Sequence, residues 1–476
     1  MVTTAPSPTS AWFPALDCPA QEFGPVSLDV ISGQIPFELK GRYFGNGTGR
    51  LQRGDERVGH WFDGDGAILG VNFSAGEATG TYRYVKTEGY LAEDASGKFQ
   101  YAGYGMGNSG PIWRRFRPLK NAANTSVLAL NNRLLALWEG AVPHALDLDT
   151  LETKGLDKLG SLSKSTPFSA HPKRDSKTGD IYNFGANLGA KDQLFLFRCD
   201  RSGTVKQRGT LPLSRKAYVH DFILASSYLV FVLSPVTLNV WPILFKQRNF
   251  CDCLEWKPEY GTEIIAVDRQ TLEVVSRTHA EPWYQWHFGN GFVGDDGTLT
   301  FDTVRYPDFQ TNEFLRQVPT GVTPTYSLST LWQVRLDPRN GRLLGTEQLC
   351  DRHCEFPTLS PQDVGQPHRY TYLAIHPDNE SAPGELFRSL GRFDRETGAL
   401  TEANLGQGMY VSEPIYAPKS GTEIGGWLLA TAYNSSLHRS ELWVFDAERL
   451  SGDPCVRLAL PSVIPHGFHG TWKPQC

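Results

Sequence analysis

Four of the twelve histidines stand in one register. His171 in FSAHP, His220 in YVHDF, His287 in WHFGNGF and His469 in FHGTW follow Asp149, Asp200, Asp268 and Asp446 by 22, 20, 19 and 23 residues. Each of those aspartates lies in the same phrase, apolar run, Asp, two or three turn residues, apolar run. Side chains that recur at one phase of a repeat converge in space when the repeat is arranged around an axis. Four neutral imidazoles with no thiolate suit iron, zinc or copper. Structural zinc closes four-coordinate and usually recruits Cys, whereas four histidines reaching in from one side leave positions open for dioxygen, so iron(II) is the expected ion. Carboxylates fill the same phase elsewhere: Glu355 in CEFP is 18 residues past Asp337, and Glu413 in SEPIYAP is 19 past Asp394. Glu139 ends the strongly apolar LLALWEG. A buried carboxylate is costly unless paired, and beside a metal-binding imidazole it can accept the outer ring N–H and hold the tautomer.

Other histidines fall outside that phase. His60, His144, His279, His368, His376 and His438 are expected to be structural or at the surface. His466 is near the phase, and His469 is preferred for its glycine and aromatic neighbours. A competing metal set, Cys251-x-Cys253 with Cys350, His353 and Cys354, lacks paired C-x-x-C spacing, so these cysteines are expected to be reduced, buried thiols. Gly105–Gly110 matches G-x-G-x-x-G without a strand and helix to frame it, and Asp63–Gly66 lacks the later acidic positions of a calcium loop.

The elements that must hold the histidines are short strands. Glycine (47) and proline (31) are spread along all 476 residues, and long amphipathic helical patterns are scarce. The Asp phrase recurs at Asp149, Asp200, Asp268, Asp337, Asp394 and Asp446, spaced 51, 68, 69, 57 and 52 residues, with a degenerate copy near Gly76. An Asp that bonds back onto its turn between aliphatic strands makes a hairpin. Seven hairpins at that spacing predict an all-β, seven-bladed propeller, since one four-stranded sheet cannot bury its own faces. A single domain over 1–476 is expected, with loops and short helices capping the axis and residues 1–10 disordered.

A net charge of −5 implies neither nucleic acid nor a charged protein partner. The N-terminus lacks a basic and an apolar region, and no run reaches the roughly 18 apolar residues of a spanning helix. Eight cysteines in so long a chain do not form a disulfide framework. A cytoplasmic protein is expected.

These residues, together with GRYFGNGTGRL, HWFDGDGAI, HDF, EPIYAP, LHRSELWVFDA and FHGTW, resemble the carotenoid cleavage oxygenases over nearly the whole chain, with the bacterial apocarotenoid-cleaving branch the nearest in pattern. The resemblance implies a seven-bladed propeller with Fe(2+) held by His171, His220, His287 and His469, three of them oriented by Glu139, Glu355 and Glu413. It implies an oxidoreductase that splits a conjugated C=C bond of an apocarotenoid with O₂ into two carbonyl products, retinal or an analogue among them. Thr125 matches a position that crowds the free coordination site in relatives. Stilbene-cleaving relatives carry Lys just before the glutamate of the LLAL strand; Trp138 stands there, which suits a polyene better than a phenol. Stilbene cleavage, or a propeller that binds or isomerises a retinoid, are the alternatives.

An apolar substrate comes from a membrane. In 111–120 and 239–246 aromatics are interleaved with Arg and Lys, the interfacial pattern. Trp113, Phe116, Trp241 and Phe245 are therefore expected to face lipid, giving peripheral membrane association.

Overall fold

The Asp turns set the architecture. In a computed structural model, which describes residues 9–106, 119–188, 191–245, 248–377, 384–419 and 425–475, the Oδ1 of Asp268 accepts from the backbone N–H of Gln270 (2.8 Å) and Thr271 (2.9 Å). Asp200, Asp337, Asp394 and Asp446 accept in the same way from residues two ahead. Each turn joins the third strand of a sheet to its fourth, as Thr262–Asp268 passes to Val274–Ala280. The first copy needs a correction. Asp147, not Asp149, closes that turn, accepting from Asp149 N and Thr150 N, both at 3.0 Å.

The strands build an all-β propeller. Hydrogen bonding does not divide it into seven separate four-stranded sheets, as the repeat predicts. Among the described residues there are six sheets of four or more strands, holding five, four, four, eight, six and four. The eight-stranded sheet is two antiparallel runs fused by one parallel bridge, Ala225 to Gly291, because the innermost strands Ile223–Ala225 and Phe288–Val293 approach closely enough to pair. Extra strands from the N-terminal region, Phe23–Ser27 and Val30–Gly33, enlarge two others.

Inner strands are apolar on both faces, as in Leu134–Leu137, where Leu134, Leu135, Ala136 and Leu137 are all fully buried with no alternation. Seams between faces run round the ring. Phe44 and Ile68 pack on Leu134 and Ala136, and Leu135 and Leu137 on Phe168 and Ile181. Tyr372 and Leu390 meet Leu428 and Phe445, and Leu429 and Val444 return to Leu69 and Val71. The last strand, Gly467–Pro474, pairs with Gly41–Arg50 and closes the circle, Gly470 lying opposite Gly45. A Cβ at Gly470 would sit 2.6 Å from the Phe44 carbonyl oxygen, so only glycine allows that approach.

One buried ion cluster ties the helix Glu88–Ser96 to the first sheet. Lys120 Nζ lies 2.5 Å from Asp65 Oδ1 and 2.6 Å from Glu93 Oε2, and Arg53 Nη2 lies 2.7 Å from Asp65 Oδ2. Asp65 and Glu93 are each 1% exposed, so Asp65→Ala leaves Lys120 and Arg53 sharing one buried carboxylate, Glu93, with only the half-exposed Asp94 beside Arg53. A loss of about 3–5 kcal/mol is expected, read as a lowered denaturation midpoint. Asp63 and Asp65 thus serve packing, Asp63 accepting from Gly105 N, and not a calcium loop.

Residues 1–8 of the expected disordered N-terminus lie outside the described residues, while Ser10 N donates to Gly321 O at 2.8 Å. Seven described cysteines are free thiols, with Cys199, Cys251, Cys253 and Cys354 buried. No described helix is long and apolar enough to cross a membrane.

Candidate metal centre

The innermost strands bring the four phase-matched histidines to one point. His171 and His220 stand just before Lys173–Arg174 and Ile223–Ala225, His287 directly precedes Phe288–Val293, and His469 lies within Gly467–Pro474. One ring nitrogen from each falls within 4.8 Å of all the others. Ring centroids are 4.4 Å apart for His171–His220, 4.6 Å for His171–His469 and 4.6 Å for His287–His469. The four are buried or nearly so, His287 having 12% of its side chain exposed.

The glutamates lie behind the imidazoles. His287 Nδ1 is 2.6 Å from Glu355 Oε2 and His469 Nδ1 is 3.0 Å from Glu413 Oε1. His220 Nδ1 touches Glu139 Oε1, but off the alignment of a hydrogen bond. With Nδ1–H donated outward, each Nε2 presents a lone pair to the centre. Among the described residues no carboxylate backs His171 in this way; its backbone N–H donates to Ser169 Oγ at 3.1 Å. Glu355 is the most enclosed, also accepting from Phe356 N (2.6 Å) and the Tyr306 hydroxyl (3.2 Å).

Burial sets the charge state of these rings. Burial, and then the neighbouring imidazoles, hold His171 and His287 well below the usual histidine range, so both rings are neutral. Burial pushes Glu355 up to about 7, against the pull of the Phe356 N–H. His287 Nε2 is buried without a hydrogen-bond partner, and the Nε2 atoms of His171 and His220 face each other at 3.0 Å. Converging lone pairs of this sort are satisfied by a divalent ion, and the all-imidazole set fits iron, zinc or copper.

A cavity of about 330 Å³ opens on this cluster, lined mainly by aromatic and aliphatic side chains. Thr125 and Trp138 are both on its wall. Thr125 is tied to the centre through its backbone, its carbonyl accepting from His469 N at 3.2 Å, while its hydroxyl donates to Asn124 Oδ1 at 3.1 Å. His466, the near-phase alternative, points away, Nε2 lying 3.4 Å from the Trp12 carbonyl. His60 caps the short helix Trp61–Asp63, and His144, His279, His368, His376 and His438 lie on other strands and turns.

Phe356 has no signature in the sequence. Its ring lies 5.4 Å from His287 and 5.5 Å from His469, on a backbone with φ 55°. A non-glycine residue in that region is strained, and such strain gathers at functional sites. Trp286, 5.0 Å from His220, crowds the other side. The aromatic residues flanking the histidines in YVHDF and QWHFG were the one available clue.

The family model described as retinal pigment epithelial membrane protein matches residues 17–474. The chain belongs to that family. Among its relatives, it is 32% identical over 468 residues to apocarotenoid-15,15'-oxygenase of Synechocystis sp., covering 94% of this chain and 92% of the relative. It is 27% identical to resveratrol cleavage oxygenase 1 of Aspergillus fumigatus, over 95% of this chain and 93% of that one. A crystal structure of cobalt-substituted Synechocystis ACO superposes with a TM-score of 0.89 at 30% identity, over 98% of both chains.

Proposed function

We propose that this member of the retinal pigment epithelial membrane protein family is a non-haem iron(II) dioxygenase that cleaves a conjugated C=C bond of an apocarotenoid with O₂, giving two carbonyl products, retinal or an analogue. One observation carries the reading: four inward imidazole nitrogens, three backed by glutamates, at the head of a cavity walled by aromatic side chains. His171, His220, His287 and His469 would hold the ion. A ferrous ion bound there supplies the activation of O₂ toward the alkene. The chain's own part is orientation and the exclusion of water. Glu139, Glu355 and Glu413 keep three rings turned inward, and Phe356 and Trp286 leave the polyene a narrow, dry approach. Thr125, on the cavity wall with its carbonyl bonded to His469 N, would limit the room for O₂ beside an ion held by the four histidines. No general base is needed.

Trp138 supports the polyene. An indole at that wall offers apolar surface and no cation for a phenolate, and Gly140 faces it without a side chain of its own. The iron-loaded protein, given β-apocarotenals under air, is expected to yield retinal-sized aldehydes by mass spectrometry, and none without iron. Benzaldehydes from a hydroxystilbene instead would move the activity to stilbenes. Retention of the polyene with no oxygen uptake would leave a binding or isomerising protein.

Substrate delivery from a membrane has support at one edge. Trp241 and Phe245, each 66% exposed, stack at 6.4 Å on and just after the helix Val240–Leu244. Leu238 and Phe250, which bracket this segment, line the cavity. Trp113 and Phe116 lie outside the described residues. Replacing Trp241 and Phe245 together by alanine is expected to weaken sedimentation with anionic vesicles by about tenfold or more. Unchanged partition would remove the membrane reading.

A further inference from the structure

Three of the four histidine-bearing segments meet at one carboxylate, that of Asp221. This residue follows His220 directly, and its side chain is 2% exposed. Oδ1 lies 2.8 Å from the Nζ of Lys173, two residues past His171, and accepts from Phe222 N at 2.8 Å. Oδ2 accepts at 3.2 Å from the backbone N–H of Phe288, the residue after His287. Lys173 opens the strand Lys173–Arg174, Phe222 stands at the head of Ile223–Ala225, and Phe288 begins Phe288–Val293. The carboxylate thus joins the starts of three inner strands, two of which come together again at the Ala225–Gly291 bridge. Ser169 adds a second link, its hydroxyl accepting from His171 N at 3.1 Å and donating to the His220 carbonyl at 3.4 Å. His469 stands outside this clasp, held through the Thr125 carbonyl and Glu413.

The histidines sit at strand ends, so the spacing of ligands drawn from different sheets depends on what ties those ends together. Glu139, Glu355 and Glu413 each meet one ring. Asp221 instead ties three ligand-bearing segments, one of them carrying His171, which among the described residues has no carboxylate behind it. Charge matters too. After burial and the neighbouring rings, the Lys173 ammonium is a further cause holding His171 and His287 low, and Asp221 acts the other way at His287. An ammonium felt at two of the rings opposes a dication unless a carboxylate neutralises it. We propose that Asp221, bridged to Lys173, is a positioning residue of the metal centre: it sets the spacing of His171, His220 and His287 and neutralises the Lys173 ammonium, so that the three rings can close on one divalent ion. This rests on the four histidines being the ligand set and is independent of which alkene is cleaved.

The full-length apoprotein is titrated anaerobically with ferrous ion against a competing chelator, and separately loaded with cobalt(II), whose visible absorption reports the geometry of its ligands. Denaturation midpoints establish that each variant is folded. Asp221→Asn, which keeps the shape but removes the charge and one acceptor, is expected to weaken ferrous affinity about tenfold or more and to alter the cobalt spectrum. Adding Lys173→Met removes the stranded ammonium, so affinity should recover by about threefold or more while the spectrum stays altered, the clasp still being open. Lys173→Met alone, at a side chain 22% exposed, should also alter the spectrum and serves if the asparagine variant fails to fold. Asp65→Ala, which loosens the Lys120 and Arg53 cluster and no ligand segment, is the control and should leave affinity and spectrum as in wild type. Unchanged spectra in Asp221→Asn or Lys173→Met, a loss of affinity that the added Lys173→Met does not relieve, or an equal loss in Asp65→Ala would overturn the assignment. Wild type that loads normally beside indifferent variants would sink this inference alone. Wild type that takes up neither iron nor cobalt would sink the metal reading itself.

Discussion

His287→Ala is expected to leave a folded protein that no longer retains iron. The His287 ring offers the centre a buried Nε2 with no other partner, and it is the ring most firmly held from behind, by Glu355 at 2.6 Å. Its removal leaves three imidazoles and opens a gap beside Phe356 through which water reaches the site. It also leaves the Glu355 carboxylate, already pushed up to about 7 by burial, without its histidine. Elemental analysis after desalting should find close to one iron per wild-type chain and less than about a tenth of that in the variant. Equal iron in the two would show that His287 is not a ligand.

Glu355→Gln is expected to lower iron affinity or turnover by about 10 to 100-fold, with the fold intact. The amide oxygen can still accept from His287 Nδ1 and Phe356 N, and the amide nitrogen can donate to the Tyr306 hydroxyl, so the geometry survives. What disappears is the negative charge that makes the imidazole a stronger donor to the metal. Glu139→Gln provides the internal comparison. Glu139 has 30% of its side chain exposed and meets His220 off alignment, so the same change there should cost less. The order of the two effects, read from iron titrations, tests whether burial and alignment set the strength of each carboxylate. An equal or reversed order would contradict it.

The positions of these residues were legible because the inner strand of each sheet opens about twenty residues after an Asp turn, so counting from the turn lands on the axis. The count worked even where the turn was misplaced. Asp147 and Asp149 are two residues apart with a leucine between them, both fit the phrase, and only the turn's backbone shows that Asp147 accepts the N–H groups. His171 still fell in register, because an error of two residues is smaller than the spread of the phase. The fusion of two sheets into one of eight strands had no trace in the pattern, since it depends on a single bridge between Ala225 and Gly291 that the twist of neighbouring units decides.

Phe356 was hidden for a different reason. Its left-handed backbone is imposed by tertiary structure, where Glu355 must turn inward to His287 while Pro357 fixes the chain that follows. His353 was visible only as part of a cysteine-rich cluster. The structure instead turns its ring onto His376 and Ser329, and among the described residues the group placed to hold a metal is the four-histidine set. Residue type and spacing therefore located the metal site, while the shape of the cavity around it came from packing.

X-ray absorption at the iron edge, on protein loaded with ferrous ion without oxygen and then desalted, tests the central claim most directly. The account predicts one iron per chain with four imidazole nitrogens in its coordination shell and no sulfur. Sulfur scattering, fewer than three imidazoles, or a protein that takes up no iron while remaining folded would contradict it.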